Sequence, residues 1–170
     1  EMKKIALMFW PEDGNVDAVG EMITSRFDKD EIIKVPIKNV TKEILESYDN
    51  WILGGSTVGS HVWEDADDSN KWTDFFKVLT EVNLTGKLAA FYGLGDQILY
   101  PHHFVDGLGV FQEEFEKHKI KTIGQWPVEG YNFTDSEGVK DGAFFGLALD
   151  QDHQEELPNE RIEQWIKILR

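Results

Sequence analysis

Leu88-Ala-Ala-Phe-Tyr-Gly-Leu-Gly-Asp-Gln-Ile-Leu-Tyr-Pro101 reads as a buried β-strand running into a glycine-rich loop. Its apolar run, residues 88–92, closes on Gly93 and Gly95. That is the form expected of a central parallel strand followed by a tight turn. Loops at the carboxyl ends of such strands are where open α/β sheets bind ligands. Gly93 and Gly95 would let the backbone approach a ligand closely. Asp96 and Gln97 offer polar contacts beyond them, and Tyr100 offers a flat face. Read alone, the stretch fits either a ligand site or a turn whose tyrosine packs on the surface.

Strand and helix signals alternate on both sides of it. Residues 3–10 (KKIALMFW) form a strand candidate, followed at once by the turn cluster Pro11-Glu-Asp-Gly-Asn15. Apolar residues at 16, 19, 22, 23 and 27 have helical spacing over 16–27. Residues 31–37 form a second strand, with Pro36 marking an edge position or a strand end. A short helix over 42–48 precedes a third strand over 50–55. Residues 57–70 are a polar loop, and 71–82 a helix with Trp72, Phe75, Phe76 and Leu79 on one face.

After the opening segment, 104–118 is an amphipathic helix and 120–124 starts a fifth strand. Residues 126–142 are rich in loop formers, 143–149 resume a strand, and 157–169 close with a helix. Pro158 sits in that helix's first turn, where proline is tolerated. The alternation predicts one α/β domain over 1–170, with a parallel sheet and helices on both faces.

Composition bounds the function. The 170 residues suit a single compact domain. No apolar run of membrane length occurs, and no basic-then-apolar leader opens the residues present. The absence of cysteine excludes disulfides, thiolate metal sites and thiol catalysis, and fits a reducing cytoplasm. A formal net charge of −15 repels nucleic acid and anionic lipid. It would attract basic protein surfaces, or serve solubility alone.

His61, His102 and His103, with the acids Glu64, Asp65, Asp67 and Asp68, form either a divalent-ion site or solvated loops. Ser56, Thr57 and Ser60 lie near His61, but no ordered acid completes a hydrolytic triad.

Nearly the whole chain resembles the flavodoxin family, with the most specific motifs in its second half. The segment from Gly93 to Pro101 is similar to that family's Gly-x-Gly-Asp-Gln loop and its flavin-facing tyrosine. Asp106-Gly-Leu-Gly, Gly124-Gln-Trp-Pro-Val-Glu-Gly-Tyr-Asn-Phe and Gly146-Leu-Ala-Leu-Asp-Gln-Asp-His-Gln follow it in order and spacing. The insertion that splits the last strand is typical of the long-chain branch. The resemblance implies a flavodoxin-like, three-layer α/β/α fold. Its doubly wound five-stranded parallel sheet would have the order 2-1-3-4-5, with FMN at the switch point. It further implies a monomeric carrier of single electrons rather than an enzyme, docking on basic surfaces of redox partner proteins.

Site residues follow from the same match. Tyr100 would stack on one face of the isoalloxazine, and Gly93, Leu94, Gly95, Asp96 and Gln97 would hold its pyrimidine side. Thr57, Val58 and Gly59 would cover the other face, and Asp150 would stand beside the flavin loops. Trp10, Asp13, Gly14, Asn15 and Ser56 complete the expected contacts. The acids at 64–68, near the flavin edge, would disfavour an anionic reduced flavin or dock a basic partner.

One departure stands out. The family holds the FMN phosphate with the pattern Ser/Thr-x-Thr-Gly-x-Thr. Here Pro11, Asp13 and Val16 occupy the three hydroxyl positions, and Pro11 lacks a backbone N–H. Asp13 is expected to act as N-cap of the following helix, accepting the amides a phosphate would use. A carboxylate about 4 Å from one phosphate charge is repelled by roughly 1 kcal/mol in water and about 4 at an effective dielectric of 20. Two readings follow. Either FMN binds weakly or with its phosphate rearranged, or the chain takes a phosphate-free flavin or none. The alternative to an electron carrier is a non-redox binding or regulatory module that has lost phosphate binding.

Overall fold

The structure is a computed structural model that describes residues 4–56, 71–95, 105–150 and 158–169. In chain order its elements are β1 (Ile5–Phe9), α1 (Asn15–Thr24), β2 (Ile32–Pro36), a 3-10 turn (Ile37–Asn39), α2 (Lys42–Ser47) and β3 (Asn50–Gly55). There follow α3 (Lys71–Leu79), β4 (Leu88–Leu94), α4 (Asp106–Lys117) and β5 (Lys121–Ile123). Then come β6 (Trp126–Pro127), β7 (Val139–Lys140), β8 (Ala143–Phe144), β9 (Leu147–Leu149) and α5 (Pro158–Leu169).

The main sheet is parallel, in the order β2-β1-β3-β4-β5, with β9 also on β4. β1 and β4 are almost wholly buried because helices cover both faces. On one face, α1 and α5 meet where Arg26 donates to Asn159 Oδ1 at 3.3 Å. On the other, Phe91 of β4 stacks on Phe111 of α4 at 5.2 Å, and Trp72 of α3 meets the same ring edge-on at 4.7 Å. Such aromatic pairs add about 0.5–1.5 kcal/mol each beyond the area they bury.

Local chemistry sets the element ends. Thr41 caps α2 by accepting the Ile44 amide at 3.2 Å. Pro36, which has no N–H to donate onward, ends the edge strand β2. The helices predicted over 16–27 and 71–82 stop at Thr24 and Leu79, and tighter i→i+3 bonds finish both, such as Phe27 to Thr24 and Thr80 to Lys77.

The fifth strand is split by the insertion, as the resemblance implies. It is filled in two pieces, β5 beside Leu88–Ala90 and β9 beside Tyr92–Leu94. The run 143–149, predicted as one strand, is divided between sheets. β8 pairs antiparallel with β6 and β7, and only β9 rejoins the main sheet. The cause is Phe144, buried against the rings of Tyr131 (4.9 Å) and Phe133 (5.4 Å), which draws β8 into the insertion.

One contact ties the site-bearing strands together. Tyr92 of β4 lies across Gly54 of β3, where a Cβ would stand 1.9 Å from the Tyr92 ring. Its buried hydroxyl donates to the Val16 carbonyl in the first turn of α1 at 3.0 Å. Gly54→Ala is therefore expected to cost about 1–3 kcal/mol through overpacking, and Tyr92→Phe about 1–2 kcal/mol through the lost hydrogen bond. The two changes should be non-additive when denaturant midpoints of the single and double variants are compared.

Candidate functional site

Four chain segments leave the main sheet together at its carboxyl edge. Phe9 is in register with Gly54, Gly55 with Gly93, and Gly93 and Leu94 with Ala148 and Leu149. Trp10, Ser56, Gly95 and Asp150 are thus the first residues beyond the strands. The Trp10 amide donates to Gly54 O at 3.2 Å, and the Gly95 amide to Leu149 O at 3.0 Å. Asp150 is buried at this edge, 1% exposed. Gly93 is also buried, and its close approach is to the helix behind it: a Cβ there would meet the Leu108 side chain at 3.0 Å.

Of the site residues named from the sequence, Trp10, Ser56, Gly93, Leu94, Gly95 and Asp150 share this edge, with Asp13, Gly14 and Asn15 in the turn after β1. Thr57, Val58, Gly59, Asp96, Gln97 and Tyr100 lie outside the described residues. So do Ser60, His61, His102, His103 and the acids at 64–68. Among the described residues, no group of three or more His, Asp or Glu side chains could hold a metal ion.

The turn between β1 and α1 corrects one expectation. Gly14, not Asp13, is the N-cap of α1, with extended φ −131° and ψ −157° and no side-chain cap. Asp13 cannot take that place because its φ is +63°, in the left-handed region, whereas an N-cap residue is extended. The Asp13 side chain is exposed, and its backbone N–H donates to Asp17 Oδ2 at 2.9 Å. Asp17 stands three positions after the cap, on the first turn of the helix, where the macrodipole favours an acid.

Among the described residues, two ammonium groups beside the turn are engaged. Lys34 of β2 pairs with Asp17 and, at 3.1 Å, with Glu21, and stands 4.9 Å from the Phe9 ring centroid. Lys38 of the 3-10 turn pairs with Glu12 at 2.8 Å. The hydrogen bond from Lys34, then that from the Asp13 amide, holds the Asp17 carboxyl below its ordinary value. Burial would depress the Lys34 ammonium, but its bonds to Asp17 and Glu21 outweigh this and raise it.

As a phosphate cradle the turn is poorly suited. Pro11 has no donor, the Asp13 amide is taken, and no hydroxyl stands at positions 11, 13 or 16. Sequence reasoning missed Asp17, Lys34 and Tyr92. An acid three residues after Gly14, in the first turn of a helix, was the available signal for Asp17. Tyr92 was hidden inside an apolar run.

A doubly wound α/β domain with its loops gathered beside the central strands defines a class of small ligand-binding proteins. The family model described as flavodoxin matches residues 7–165. The chain is 38% identical over 167 residues to a flavodoxin of Klebsiella pneumoniae, covering 98% of this chain and 92% of the relative. It is 33% identical over 168 residues to a Nostoc flavodoxin, covering 99% and 96%. It superposes on Fusobacterium nucleatum flavodoxin bound to flavin mononucleotide with a TM-score of 0.85 and 28% identity, covering 99% and 97%. The chain belongs to the flavodoxin family.

Because the Asp17 carboxyl is depressed in the fold, its stabilisation is complete above the unfolded value of about 3.9 and is lost as pH falls through the lower folded value. Asp17→Asn should lower stability near neutrality by about 1 kcal/mol. It should also flatten the acid limb of a plot of urea midpoint against pH below about 4.

Proposed function

We propose that this chain is an electron carrier working through a non-covalently held flavin, FMN being the form bound by the Fusobacterium relative. The observation that supports this most is the meeting of Trp10, Ser56, Gly93–Gly95 and Asp150 at the carboxyl edge of a family-matched sheet. A bound flavin supplies reversible one-electron chemistry. The chain's part is to hold the ring, limit water and set the charge around it.

Loop backbone at Gly93, Leu94 and Gly95, with Asp96 and Gln97, holds the pyrimidine side of the ring. Tyr100 covers one face, and Thr57, Val58 and Gly59 the other. Trp10 and Ser56 border the site, Asp150 shapes its floor, and Asp13, Gly14 and Asn15 lie toward the ribityl end. No side chain acts as acid or base. The split fifth strand favours the long-chain branch.

The −15 net charge draws basic surfaces of redox partner proteins to a monomer in a reducing compartment such as the cytoplasm. Among the described residues no helix is long and apolar enough to cross a membrane. The altered phosphate turn favours a second reading, a non-redox binding module on the same fold.

Titrating the chain into a flavin solution should quench flavin fluorescence at micromolar protein. The bound flavin, once reduced chemically, should then pass electrons to a basic one-electron acceptor, more slowly as salt is raised. Absence of quenching by FMN and by riboflavin alike would replace the carrier with the second reading.

A further inference from the structure

The turn between β1 and α1 combines three features that bear on which flavin the chain takes. Its donors are depleted, since Pro11 has no N–H and the Asp13 amide is bonded to Asp17 Oδ2 at 2.9 Å. Its cations are engaged, Lys38 by Glu12 at 2.8 Å and Lys34 by Asp17 and Glu21. Its charge is negative: the carboxylates of Glu12, Asp13, Asp17 and Glu21 outnumber those two ammoniums.

We propose that this turn selects against a phosphate, so that the chain binds a phosphate-free flavin such as riboflavin at least as tightly as FMN. The proposal rests on the flavin-carrier reading above and concerns only the end of the ligand remote from the ring. A phosphomonoester carries about −1.5 to −2 charges at pH 7. The free amides at the start of α1 attract it through roughly half a unit of positive charge, while the surplus of carboxylates repels it.

Releasing Lys38 or Lys34 to the phosphate would not remove the repulsion. Each exchange leaves a carboxylate unpaired beside the new anion, and the net charge of the turn stays the same. A neutral ribityl chain meets no such opposition. Its hydroxyls can donate to the exposed carboxylates that a phosphate would face.

The Asp13 position separates charge from folding. Its φ of +63° suits glycine better than aspartate, so Asp13→Gly removes a charge without straining the turn. Glu12→Gln removes a second charge and frees Lys38.

The test is a fluorescence titration of the full chain with FMN and with riboflavin, at low and at high salt. The expected result is a riboflavin dissociation constant equal to or below that of FMN. Salt should move the ratio toward FMN by screening the repulsion. Asp13→Gly should move the same ratio toward FMN by roughly tenfold, and Glu12→Gln in the same direction. FMN binding measurably tighter than riboflavin, or a ratio that salt shifts toward riboflavin, would overturn the proposal and leave the carrier reading intact. Binding of neither flavin would overturn both.

Discussion

Tyr92 makes the carboxyl edge of the sheet one unit. Its ring lies flat across Gly54, in space that any other residue's Cβ would fill, and its hydroxyl reaches the Val16 carbonyl. β4, β3 and the first turn of α1 are therefore fixed relative to each other by one buried side chain. Burial drives the phenol's acidity far from the physiological range, so it remains a neutral donor. The turn after β1 leads into the helical turn that Tyr92 bonds, and the loop after β4 begins three residues beyond it. A change in either is set against the same rigid base.

On that base the two ends of the site differ in kind. The proposed ring side is built from backbone: Gly95 hydrogen-bonded across to Leu149 and Trp10 to Gly54, with Asp150 buried just past β9. The turn side is built from charge. Glu12 with Lys38, and Asp17 and Glu21 with Lys34, form two ion-paired groups tying the turn and α1 to β2 and the 3-10 turn that follows it. Those pairs satisfy the loop internally, whereas a phosphate cradle leaves its donors open for the ligand. Family membership and this internal satisfaction are the two observations on which the proposed phosphate-free flavin preference rests.

Much of this was legible in the residues. Alternating apolar runs and helical spacings located the main elements, and 50–55 matches β3 residue for residue. The strand order came from the family motifs, since alternation alone permits other windings. The missing hydroxyls at 11, 13 and 16 were plain from the residues. The inner arrangement of the turn was not. Whether Asp13 caps a helix depends on its φ, which tertiary contacts set, and the Lys34 to Asp17 pair joins elements distant in the chain. The departure of β8 from the main sheet depends on where Phe144 finds aromatic partners, which no local pattern encodes.

The central claim is that flavin binds at the carboxyl edge of β4 through its ring. An amide chemical-shift map of the isotope-labelled chain, recorded as riboflavin is added, tests it most directly. The account predicts saturable shifts centred on Gly93, Leu94, Gly95 and Asp150, with smaller ones at Trp10 and Ser56. Flavin binding that leaves those amides unmoved, with shifts gathered instead on the groove lined by Trp126, Arg161 and Ile168, would contradict it.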